Sequence, residues 1–207
     1  MRLRVVVVSV VLLMSAAACG DDAGEPGASP SPTTVESTPT PSPTAAQPTS
    51  SADLELAPGR IGPVESGIDK DAALATGLFD ADVAGVEECM FPLAWKDAFT
   101  GVDVVVDSEG GILGLGVTAE DGPRTADGLG VGSTFGELIE NYGSDLSAPE
   151  EAGYGQVGVY VKDGDNWLGF LLGDATSVEQ VDNDPAFKVT FAEATKSAKP
   201  DLMRDGC

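Results

Sequence analysis

Apolar positions along the chain fall into three patterns. The first is a near-continuous run from Val5 to Met14, broken only by Ser9. The second is helical. Phe135, Leu138, Ile139 and Tyr142 recur at i, i+3, i+4 and i+7, which places them on one helix face. Thr134 and Glu137 form a capping box in front of that face, each side chain accepting from the other's backbone amide. Gly143 supplies a left-handed stop, so the spacing predicts a helix over 134–142. The third pattern is extended. Val102 to Asp107 and Ile112 to Val117 flank Ser108-Glu109-Gly110-Gly111 and predict a hairpin. Gln156 to Lys162 places Val157, Val159 and Val161 on one face, Asp163-Gly164-Asp165-Asn166 turns the chain, and Trp167 to Leu172 returns with Phe170 and Leu172 inward. Shorter signals predict a helix capped by Asp69 and closed by Gly77, a loop holding Asp80 and Asp82, and a strand over Glu88 to Lys96. Pro92 makes that strand an edge or bulged one. Thr190 and Glu193 predict a short capped helix through Ser197, with Phe187 and Phe191 inward.

The order helix, strand, hairpin occupies about 60–120 and returns over about 126–182, a period of roughly 65 residues. The expected fold is α+β, a duplicated helix-plus-antiparallel-sheet unit in which neither half buries its sheet face alone. An α+β meander without duplication is the alternative. Every Phe, Trp and Tyr lies at or beyond Phe79. One globular domain is therefore expected over 53–207, with a tail at 185–207.

Before that domain the chain is of another kind. Arg2 and Arg4, the apolar run and the small residues Ser15 to Ala18 follow the order of a secretory signal. The apolar run is short of the roughly 20 residues that span a bilayer. Ala16-Ala17-Ala18-Cys19 resembles a bacterial lipobox, with Ala16 where Leu is usual. The resemblance implies a signal peptide over 1–18 and a diacylglycerol on Cys19. It implies a lipid-anchored protein on the extracytoplasmic face of the cell membrane, since more than one fatty chain gives stable anchoring. The Ala, Gly, Val and Asp richness also looks like lipoproteins of high-GC Gram-positive bacteria. Residues 19–52 hold seven prolines, from Pro26 to Pro48, among many Ser and Thr and no aromatic. Such a segment has too little to bury to offset the cost of ordering its backbone. It reads as a semi-extended, disordered tether, with a glycosylated stalk as the secondary reading.

Composition narrows the chemistry. The formal net charge is −23, and −25 once Arg2 and Arg4 leave with the signal. That excludes nucleic acid as a partner, because phosphate contacts need clustered Lys and Arg. There is no His, so Ser-His and Cys-His pairs are excluded. The cysteines are Cys19, Cys89 and Cys207. With Cys19 taken by lipid, Cys89 and Cys207 are expected to bridge in an exported compartment. Two separate thiols are the alternative. A bridge over so long a loop would contribute about 4–5 kcal/mol.

Ile61-Gly62-Pro63-Val64, Ala75-Thr76-Gly77-Leu78 and Asp127-Gly128-Leu129-Gly130-Val131-Gly132-Ser133-Thr134 through Tyr142-Gly143 look like a recurring lipoprotein-associated domain. The arrangement is similar to the tandem helix-plus-sheet domains of β-lactamase inhibitor proteins and of outer-membrane assembly lipoproteins of the SmpA/OmlA type. It implies a binding or scaffold domain without naming a ligand.

No motif singles out catalytic groups, metal ligands or a cofactor. Asp163-Gly164-Asp165-Asn166 and Asp182-Asn183-Asp184 lack the glycine position and closing Glu of a calcium loop and read as turns. The expected role is a non-catalytic binding or interaction module with an envelope protein or glycan partner. Trp95, Tyr154, Tyr160 and Trp167 are the contact candidates; burial in the core is the alternative for all four. Two other readings are an envelope hydrolase using paired carboxylates and a weak divalent-cation binder.

Overall fold

The computed structural model describes residues 47–84 and 90–202. Cys19, Cys89 and Cys207 lie outside the described residues, as do the signal run and most of the tether. The acylation and the bridge expected above therefore concern positions on which the fold does not bear.

The described chain opens in a 3-10 turn, Ser51–Asp53. Asp53 Oδ2 accepts from the backbone N–H of Ser50 at 2.9 Å and of Thr49 at 3.0 Å. Ser51 is buried, so the folded body takes in the last residues expected of the tether. Three two-residue strands follow, β1 (Leu56–Ala57), β2 (Arg60–Ile61) and β3 (Val64–Glu65), paired antiparallel in a small sheet. This segment has no aromatic, yet Leu54, Leu56, Ile61 and Val64 are all buried in the main core.

Helix α1 (Lys70–Ala75) starts at Asp69, whose Oδ1 accepts from Ala72 N–H at 2.8 Å. Strands β4 (Phe79–Ala84) and β5 (Met90–Trp95) then pair antiparallel. This corrects the loop expected at Asp80 and Asp82. Phe79 is buried and Val83 half-buried, and both alternate with exposed aspartates. Asp82 adopts φ 53 opposite Pro92, where the missing proline N–H interrupts the ladder. Strands β6 (Val102–Val106) and β7 (Ile112–Val117) form the first expected hairpin, with Leu113 as a bulged residue in β7.

Helix α2 (Phe135–Tyr142) carries the expected capping box. Thr134 N–H donates to Glu137 Oε2 at 2.7 Å, and Glu137 N–H donates to Thr134 Oγ1 at 3.2 Å. After β8 (Glu150–Glu151), strands β9 (Val157–Asp163) and β10 (Asn166–Leu172) form the second expected hairpin. Its loop is Gly164-Asp165, with Gly164 at φ 59, a left-handed first position that glycine fills without steric cost. Helix α3 (Val178–Asn183) takes up Asp182 and Asn183, which had been expected in a turn; Ser177 caps it.

The tail is the largest departure. Val189–Lys196 is strand β11, not the helix expected over 190–197. It lies inside the six-stranded sheet, paired with β7 on one edge and β10 on the other. Two flanking ladders and the burial of both its faces outweigh a Thr-x-x-Glu cap signal. The sheet order is β6-β7-β11-β10-β9-β8. Its inner face carries Leu115, Val157, Val159, Leu168, Phe170, Ala192 and Ala194, packed with Phe135 and Leu138 of α2. The mixture of helices and antiparallel sheet is α+β. Helix α1 precedes β4 to β7, and helix α2 precedes β8 to β10, with α3 falling between β10 and β11.

Candidate functional site

The four aromatic candidates do not converge. Tyr160 and Trp167 share the outer sheet face, because Tyr160 pairs with Gly169 and Trp167 with Lys162. Tyr160 is buried and Trp167 half-buried in a second cluster with Ala152, Leu171, Phe191 and Leu202. Tyr154 stands alone at a turn. It is 83% exposed and held at φ 47 between Gly153 and Gly155, which are also left-handed. Trp95 belongs to the β4–β5 hairpin, where its ring lies 4.3 Å from Phe79 and 5.9 Å from Phe99.

A strap from the C-terminal tail occupies the outer face over Tyr160. Lys199 Nζ sits 4.4 Å from the Tyr160 ring centroid and 2.9 Å from Glu150. Leu202 rests on a floor without side chains. A Cβ at Gly158 or Gly169 would fall 2.5 Å or 2.9 Å from its methyl carbons, closer than non-bonded carbons approach. Leu202 N–H donates to Glu193 Oε2 at 3.0 Å. Glu193 is itself buried, and burial pushes its carboxyl up, against the lowering effect of that N–H. Burial, with Glu150 and Glu193 nearby, pushes Tyr160 up to about 12. Sequence reasoning missed Glu193 because it had placed this residue in a helix cap.

An open groove lies between β5 and β6. A groove of about 460 Å³ is lined by Leu93, Trp95, Lys96, Phe99, Val102 and Val104, among others. That volume is within the range of small-ligand and peptide-side-chain sites. Leu93, Phe99 and Val102 are buried, so the floor is apolar and continuous with the core. Trp95 adds a polar oddity: its indole N–H is shielded from solvent and has no acceptor among the described residues. An unmatched buried donor of this kind costs about 1–3 kcal/mol.

The carboxylate readings find less. Asp174 and Asp184 share a cleft of about 350 Å³ with Lys188 and Phe187. Among the described residues no three acidic or cysteine side chains come together as metal ligands. No helix among them is long and apolar enough to cross a membrane. Set against family models, curated proteins and solved structures, the chain finds no match.

Proposed function

We propose that this chain is a lipid-anchored, extracytoplasmic binding module, non-catalytic, that presents the β5–β6 groove to an envelope partner. The observation that carries the binding half is the groove itself: an apolar floor and an opening to solvent in one place. The anchoring half rests on the order of Arg2, Arg4, the Val5–Met14 run, Ala16-Ala17-Ala18 and Cys19. The Pro-rich tether lifts the domain off the bilayer, and strong negative charge keeps it from lying on anionic headgroups.

We also read the domain as a duplicated unit akin to the tandem helix-plus-sheet lipoprotein domains. The support is the order of a helix and then antiparallel strands, which runs from α1 through β7 and again from α2 through β10, and the pairing of β7 with β11 inside the six-stranded sheet. A carboxylate hydrolase is the second reading, and only the shared cleft of Asp174 and Asp184 favours it.

Photocrosslinking in intact envelopes tests the module directly. A photoreactive residue replacing exposed Thr100, at the groove's rim, is expected to give a discrete adduct. The same residue replacing exposed Glu140 on α2 is expected to give none. Equal labelling at both positions, or none at either, contradicts a binding role for the groove.

A further inference from the structure

Among the described residues Glu193 is the one charged side chain that is buried. It stands mid-way across the outer sheet face, opposite Gly169 of β10 and Gly116 of β7. Neither glycine has a side chain to cover it, and the strap closes over it instead. Leu202 rests on Gly158 and Gly169 and gives its N–H to Glu193. Pro200 also lies over Gly169, its Cβ 3.1 Å from where a Cβ on that glycine would stand. The strap itself is tied down at few points. Ser197 N–H donates to Asp165 O at 2.8 Å where it begins. Between there and Leu202, among the described residues, no backbone N–H of the strap donates to the sheet. Thr195 Oγ1 donates to Ala198 O, and Lys199 pairs with half-exposed Glu150. Leu202 is held at φ 56, a left-handed conformation that strains a leucine and that release would relieve. A segment with so few backbone bonds opens locally, without unfolding the sheet.

We propose that residues 197–202 form a pH-sensitive latch, seated over Tyr160, Leu171 and Phe191 in acid and lifting from them as pH rises, with Glu193 as the sensing group. Seating the strap takes the Glu193 carboxyl out of water, which penalises its ionised form. The Leu202 N–H opposes that penalty, and the like charge of Asp201 on the strap adds to it; the balance pushes the carboxyl up. The other groups on this face do not reverse the sign. Asp103 of β6 stands beyond Gly116, and Tyr160 of β9 and Glu150 of β8 lie beyond Gly169. Lys199 is turned to Tyr160 and Glu150, and Lys162 to Trp167. A carboxyl raised in the closed state favours closure below its ordinary range, and that preference is lost as pH rises through the closed-state value. Lifting uncovers the apolar cluster that Leu202 completes.

Hydrogen exchange at the Leu202 amide of the full-length protein in detergent, corrected for the intrinsic effect of pH, tests the latch. Phe170, on a strand paired along both edges, reports opening of the whole sheet. Leu202 is expected to be less protected than Phe170 throughout. Its protection is expected to fall at least about threefold between about pH 5 and about pH 8. In Glu193→Gln the fall is expected to vanish, and in the exposed variant Asp201→Asn to shrink. Leu202 protection equal to that of Phe170, or flat with pH in the parent, overturns the proposal. The same fall in Glu193→Gln also overturns it; should that variant not fold, an undiminished fall in Asp201→Asn does so.

Discussion

Glu193 and Leu202 couple the sheet to the strap, and their contact has a pH dependence of definite sign. Burial raises the Glu193 carboxyl above its ordinary range. Such a group contributes most to stability below the ordinary carboxylate value of about 4.3, and the contribution is lost as pH rises through the folded value. At neutral pH the buried negative charge therefore works against the strapped state. Glu193→Gln keeps an acceptor for Leu202 N–H and removes the charge. The variant is expected to melt above the parent at pH 7, with the gap closing toward about pH 4. A variant that melts lower at pH 7 would show that the charge-assisted hydrogen bond outweighs desolvation. The residue chemistry of the site was only partly legible. Trp95 is distinctive in any sequence. Glu193 looked like one acid among 34, and only a strand placement turns it into the buried one.

Elements were legible in proportion to how local their causes are. Helix α2 has its signal within ten residues, Thr134 to Gly143: a capping box, an apolar face and a glycine stop. Thr134→Ala is expected to lower stability by about 1 kcal/mol, measured by denaturant unfolding. The Thr134 amide and hydroxyl also hold the Glu137 carboxyl below its ordinary range. That support is present above the ordinary carboxylate range and is lost as pH falls through the folded value. The pH dependence of the Thr134→Ala effect thus runs opposite to that of Glu193→Gln. The two hairpins were equally local, set by Gly110, Gly164 and their flanking alternation. Strand β11 was not, because what makes it a strand is its placement between β7 and β10, far away in sequence. The same reason hid β4, whose alternation is masked by Asp80 and Asp82, and the small first sheet, whose strands are two residues long.

At the scale of the whole molecule the chain divides by composition. A short apolar run with two arginines, a proline-rich stretch without aromatics, and an acidic α+β body follow one another. On the proposed reading each has a use at a membrane surface: export, spacing, and an acidic face held away from anionic lipid. The account turns on Cys19 being the anchor. Intact mass of the protein extracted from membranes, before and after reduction, tests it most directly. The expected species begins at Cys19, carries added acyl mass and gains two hydrogens on reduction. A species beginning at Met1 without acyl mass contradicts the anchored module.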